Sequence, residues 1–174
     1  SARVDRLHAI ASISIKEMQL SAAATPRKAM DVVCVLDNSG SMSGAKFTHL
    51  KHAIRFVQSQ LTEQDRLSLV LFNSQASGVH GLHRMNATRK AESEALVNTL
   101  PVGGGTDIYA GMKMGQELLA GRASKNPISC MFLLTDGQDG DTLGQLDEIL
   151  AGLPAMSIHT FGFGDDHDAH VMSQ

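Results

Sequence analysis

Asp31-Val-Val-Cys-Val-Leu-Asp37, followed at once by Asn38-Ser-Gly-Ser-Met42, is the stretch on which the fold turns. Apolar side chains fill every position between the two acids. A strand with one wet face alternates apolar and polar residues, whereas a run that is apolar throughout belongs to a strand covered on both faces. The run stops at Asp37 and a polar loop follows, as at the carboxyl end of a central parallel strand. Phe47, Leu50, Ile54, Val57 and Leu61 then step by three and four, which lays one apolar face along a helix.

The same unit recurs downstream. Leu67–Phe72 reads as a second strand, with Val79–Leu82 as a short hairpin partner. Thr88–Leu100 reads as a helix with Thr88 at its N-cap. Pro101–Gly105 is a glycine-rich loop and Thr106–Leu119 a further helix. Ile128–Thr135 is a third buried strand, again ending at an acid, Asp136. Leu143, Leu146, Ile149 and Leu150 mark another helix, and Ser157–Gly164 another strand. Strands alternating with helices imply parallel crossovers, hence an α/β open sheet with helices on both faces. Residues 1–29 read as an N-terminal strand and connector, with Ile13 and Ile15 alternating with polar neighbours and Pro26 in the linker. The domain proper is expected over 30–174. A last helix starting at Asp168 has room for only about two turns, so the native protein is expected to continue.

Composition narrows the function. The 174 residues carry 15 Lys and Arg against 18 Asp and Glu, a formal charge of −3. That balance lacks the basic stripe a nucleic-acid binder needs to neutralise phosphates. Hydrophobic content of 43% is enough for one packed core and excludes a disordered tail. No apolar stretch approaches the roughly 20 residues of a membrane span. Cys34 and Cys130 each sit inside an apolar strand, which reads as two packed free thiols rather than a bridge or metal site. With no leader visible at the start, the expected location is cytoplasmic. An Asn-Ala-Thr sequon begins at Asn86 and carries no meaning inside a cell. Nothing in the sequence sets an oligomeric state.

Ligands of open parallel sheets bind beyond the carboxyl ends of the strands, where the strand order reverses. Three loops should meet there, carrying Asp37, Ser39 and Ser41, then Thr106 and Asp107, then Asp136. Hard oxygen donors without thiolate or imidazole suit Mg²⁺, Mn²⁺ or Ca²⁺. Asp37, Ser39 and Ser41 skip every second residue, so one loop can turn all three toward a point, and Gly40 permits the turn. Asp107 reads as an acid at the start of its helix or behind the ligands rather than as a direct ligand. Plainer readings exist for each piece: a strand-end turn at Asp37, helix caps at Ser39, Ser41 and Thr106. Convergence of three loops favours the metal.

Catalytic patterns fit less well. Phosphatases of the haloacid dehalogenase type begin with a strand and Asp-x-Asp, but the second position here is Ser39. The nucleophile elbow Gly-x-Ser-x-Gly is absent. Gly103-Gly-Gly-Thr106 lacks the lysine of a phosphate-binding loop, and Gly162-x-Gly164 is followed by His167 where a dinucleotide fingerprint needs a small residue. Asp136, Asp139 and Asp141 miss the EF-hand spacing, so the latter two read as a solvated loop and a helix start. Asp165, Asp166, His167, Asp168 and His170 read as the acidic start of a helix, and His80 and His83 form no recognisable pattern.

Asp37-Asn-Ser-Gly-Ser-Met42, Gly104-Gly-Thr-Asp-Ile108 and Thr135-Asp-Gly137 resemble, in order and approximate spacing, the metal-ion-dependent adhesion site of von Willebrand factor A domains. The resemblance covers roughly residues 30 to 174. His159-Thr-Phe-Gly-Phe-Gly164 and Asp166-His-Asp168 look like the eukaryotic intracellular branch found with RING-finger or Hint modules. The resemblance implies a Rossmann-like, mostly parallel sheet with an antiparallel edge strand and a C-terminal helix that is truncated here. It implies metal coordination by the hydroxyls of Ser39, Ser41 and Thr106, with Asp37 and Asp136 binding directly or through water. An Asp or Glu of a protein partner would complete the octahedron. The function so implied is metal-dependent protein binding, not catalysis. The rivals are a metal-independent scaffold in a larger protein such as a ubiquitin ligase, and a metal-dependent phosphate hydrolase.

Overall fold

The computed structural model describes residues 27–137 and 156–163. The expected strand at Ile13 and Ile15, the helix at 143–150, Asp139, Asp141, the cluster at 165–170 and the final helix lie outside the described residues. Eight regular elements are described: β1 (Met30–Asp37), α1 (Ala45–Gln60), β2 (Arg66–Phe72), β3 (Ala76–Arg84), α2 (Ala87–Thr99), α3 (Ile108–Ala120), β4 (Ile128–Thr135) and β5 (Ser157–Gly162). A single 3-10 turn, Gly40–Met42, stands between β1 and α1.

The sheet order is β3-β2-β1-β4-β5. β1 pairs in parallel with β2 and with β4, β4 pairs in parallel with β5, and β3 runs antiparallel along β2. The unbroken apolar run of β1 has its cause in this placement. Val32, Cys34 and Leu36 face a core built with Phe47, Leu50 and Ile54 of α1 and Val97 of α2. Val33 and Val35 face the opposite core, built with Ile108, Met112 and Leu119 of α3. Both thiols are free and buried. Burial pushes Cys34 well above the ordinary thiol range, and it pushes Cys130 up to about 11 with help from the Asp31 and Asp65 charges.

α3 lies unusually close to the sheet. A Cβ at Gly111 would come 2.7 Å from Cδ1 of Phe72, and one at Gly115 would come 2.9 Å from Cε of Met131. On the other face, α1, α2 and β3 meet through a polar relay. His80 Nδ1 donates to the Gly81 carbonyl at 2.9 Å, so its Nε2 accepts from Ser93 Oγ at 3.2 Å. Ser93 Oγ in turn accepts from Gln58 Nε2 at 2.8 Å.

Three expectations need correction. The hairpin partner is the full strand Ala76–Arg84, not Val79–Leu82, because backbone pairing carries it through exposed residues that have no apolar pattern. The α2 cap is Asn86, not Thr88: Asn86 Oδ1 accepts from Arg89 N at 2.9 Å, which places Thr88 inside the first turn. α3 starts at Ile108 rather than Thr106, with Asp107 as its cap accepting from Ala110 N at 2.8 Å.

Candidate metal centre

The order of the strands reverses at β1, whose chain neighbour β2 lies on one side and β4 on the other. The crevice beyond the ends of β1 and β4 is where Asp37 and Asp136 stand. Both are fully buried, with 0% exposure.

Asp37 is held at both carboxylate oxygens. Its Oδ1 accepts from Ser39 N at 2.9 Å, and its Oδ2 accepts from Thr135 Oγ1 at 2.5 Å. Thr135 Oγ1 also accepts from Gly137 N at 3.0 Å, where Gly137 adopts a φ of 74°. The tight turn at Gly40 brings Ser39 Oγ and Ser41 Oγ to 2.9 Å from each other. Ser41 Oγ donates to Asp136 Oδ1 at 3.3 Å. The other oxygen of Asp136 accepts from Lys46 Nζ at 3.0 Å. Asp37, Ser39, Ser41 and Asp136 are thus linked across two strand ends, the first step through the Ser39 amide N–H and the others between side-chain oxygens.

The glycine-rich loop is tied to this turn by backbone. Gly40 N donates to Gly104 O at 3.0 Å and Gly103 N donates to Asn38 O at 2.8 Å. Asn73 steadies the loop from the end of β2: its Nδ2 donates to Gly103 O at 3.1 Å and its carbonyl accepts from Asp107 N at 2.7 Å. Gly104 has a φ of 90°, which favours glycine, and a Cβ there would press on Asn73. Thr106 follows, half-buried. Because Asp107 is the helix cap, Thr106 is not used as one. Among the described residues no hydrogen bond links its side chain to the other four expected site residues.

The donor set fits a hard divalent cation. Every donor is oxygen, and two buried carboxylates stand beside the ammonium of Lys46. Among the described residues no three His, Cys, Asp or Glu side chains cluster as a metal site, so a cation here must rely on hydroxyls. Burial pushes the Asp37 carboxyl above its ordinary value; the bonds from Ser39 and Thr135 oppose this, and the Asp136 charge adds to it. A buried carboxylate held short of its preferred charge state gains from a neighbouring cation.

Thr135, Lys46 and Asn73 carry functions here that sequence reasoning assigned to none of them. Thr135 is the last residue of an apolar strand, and a hydroxyl at that place beside an acid is a usable signal. Lys46 and Asn73 give none, since each reaches the site only through the tertiary fold.

The model of the von Willebrand factor type A domain matches residues 31–174 of the chain. The E3 ubiquitin-protein ligase WAVH1 of Arabidopsis thaliana is 35% identical over 124 residues, covering 64% of this chain and 18% of that protein. An uncharacterized protein of Synechocystis is 31% identical over 176 residues, covering 95% of this chain and 41% of its own length. The chain therefore spans well under half of either relative. Among solved structures, a von Willebrand factor type A protein of Catenulispora acidiphila superposes with a TM-score of 0.73 at 22% identity, covering 83% of this chain and 35% of that one. At that identity the likeness speaks to the fold.

Proposed function

The chain belongs to the von Willebrand factor type A family, and we propose that it is a divalent-metal-dependent protein-binding module rather than an enzyme. The ligands to Mg²⁺, or to Mn²⁺ or Ca²⁺, are Asp37, Ser39, Ser41, Thr106 and Asp136. The observation that carries the reading is the linked set that runs from Asp37 through the Ser39 amide, and from the Ser39 hydroxyl through that of Ser41 to Asp136. When bound, the cation supplies a focused positive centre with a position open to an anion. The protein's residues do the rest. Thr135 and the Ser39 amide fix the direction of the Asp37 carboxylate, and Lys46 takes part of the Asp136 charge. Three of the five ligands are uncharged hydroxyls, so the two carboxylates no more than balance the cation, and its open position can take the carboxylate of a partner's Asp or Glu.

Calorimetric titration of Mg²⁺ and then Mn²⁺ into chelator-stripped protein tests this. One saturable site in the wild type, absent from Asp37→Ala, is the expected result. A normal Mg²⁺ isotherm from Asp37→Ala overturns the assignment. A second reading, a metal-independent scaffold, draws support from the small share, 18%, that the chain would occupy in a protein like the plant ligase. Partner capture unaffected by EDTA would favour it.

A further inference from the structure

β3 departs from regular pairing on both sides of His80. Leu67 and Leu69 of β2 face His83 and His80, so two steps along β2 match three along β3. Leu69 and Val70 then face His80 and Gly78, a second extra residue. In a regular strand, side chains three apart point to opposite faces; each bulge re-aims them. The rings of His80 and His83 accordingly meet, with centroids 5.7 Å apart. A cavity of about 40 Å³ between β3 and α2 is lined by both imidazoles and by Arg89 and Glu92 of α2.

α2 is held to the rest of the domain by few buried groups. Of its residues only Ser93 and Val97 are buried. Ser93 is the middle of the relay, between His80 Nε2 and Gln58 Nε2. The bonds from Lys51 and Arg55 of α1 to Asn98 are exposed. On either side the chain is pinned: Met85 is buried and its N donates to Asp65 O at 3.0 Å, and Gly103 N donates to Asn38 O at 2.8 Å. Residues 86–102 therefore form a unit that can open without disturbing the sheet.

We propose that protonation of the His80–His83 pair at mildly acidic pH releases α2 from β3 while the sheet stays folded. Neutral His80 has one donor and one acceptor nitrogen, and both are matched. Protonated, Nε2 becomes a second donor aimed at Ser93 Oγ. That hydroxyl then receives from His80 and from Gln58, and its own proton loses its acceptor. The new charge must also stand beside His83 and Arg89. Glu92 is the acid lining the cavity, and its Oε2 already accepts from Arg89 Nη1 at 2.8 Å. Gln58 of α1 and Ser68 of β2, whose Oγ donates to the His80 carbonyl at 2.7 Å, are uncharged. Burial holds His80 below its ordinary value, in the same direction. Opening α2 gives both rings to water.

Hydrogen exchange of the full chain at pH 7.5 and pH 5.5, corrected for intrinsic exchange rates, tests this. At pH 5.5, one unit below the ordinary histidine value of about 6.5, one imidazole kept neutral by closure favours opening by at most about tenfold. Amides of α2 should lose protection roughly three- to tenfold, and those of β1 and β4 should keep theirs. His80→Gln should remove the response to pH. If α2 is already open at pH 7.5 in that variant, His83→Gln, at an exposed position, carries the test, and its loss of protection should be smaller than that of the wild type. Unchanged α2 protection in the wild type overturns the proposal, as does an equal loss in β1 and β4, or a wild-type response in His80→Gln or in His83→Gln.

Discussion

Replacing Lys46 with methionine asks how charge is divided at the proposed metal centre. Lys46 Nζ lies 3.0 Å from Asp136 Oδ2, with the lysine side chain 21% exposed and the aspartate fully buried. At that separation the gross attraction is about 1.4 kcal/mol at a dielectric of about 80 and about 5.5 kcal/mol at about 20. Desolvation and partial exposure leave a net of about 1–2 kcal/mol. Two effects of opposite sign follow. The metal-free protein loses this contact and should melt roughly 2–8 °C lower, at about 2–4 °C per kcal/mol for a chain of this size. The metal-bound protein gains, because the cation no longer shares Asp136 with an ammonium. Each 1.4 kcal/mol recovered tightens Mg²⁺ about tenfold. Melting curves with and without Mg²⁺, paired with calorimetric titration, read both quantities on one sample. A variant that melts lower yet binds Mg²⁺ no tighter would refute the reasoning. Lys46 would then act by holding Asp136 in place, and its charge would be incidental.

Three further outcomes are expected. Thr135→Val keeps the shape of the strand end but strips the bonds to Asp37 Oδ2 and from Gly137 N; Mg²⁺ affinity should fall although no ligand is removed, and urea unfolding should show a loss of about 1–3 kcal/mol. Unchanged Mg²⁺ affinity in that variant would argue against an orienting role. Gly111→Ala forces a methyl group against Phe72, and overpacking of about 1–3 kcal/mol should outweigh a helix-propensity gain of about 1 kcal/mol, so a more stable variant would contradict the close packing. His80 supplies the pH dependence. Burial, with the His83 and Arg89 charges, holds it below its ordinary value against the raising effect of the Gly81 carbonyl. The folded state therefore prefers neutral His80, and its contribution is complete above the unfolded value of about 6.5 and lost as pH falls below it. Wild-type stability should drop more than that of His80→Gln between pH 7.5 and pH 5; parallel curves would dismiss the relay.

The sheet and most of the candidate centre's side-chain arrangement were legible because their signals are local. A run apolar at every position from Val32 to Leu36 has only one physical use, a strand between two cores, and both cores are present. Asp37, Ser39, Ser41 and Asp136 were readable from spacing, and their hydrogen bonds join them in space. What escaped depends on partners far along the chain. β3 is held by backbone bonds to β2, which its side chains do not announce. Asn86 and Asp107 took the caps from Thr88 and Thr106, since propensity ranks such residues almost equally and backbone entry angle decides among neighbours. Lys46 enters through a contact spanning 90 positions that no spacing encodes.

The bond from Thr135 to Asp37 also spans 98 positions. Closing so long a loop is entropically unfavourable until the intervening strands and helices have organised it. No shorter piece of the chain can imitate this arrangement, because Asp136 arrives only with the fourth strand. During synthesis the first half of the chain leaves the ribosome with its serine-bearing turn but without the second acid. If the proposed site binds a cation, that cation would reward the finished domain and could not seed its assembly, and cation affinity would be a late marker of maturation.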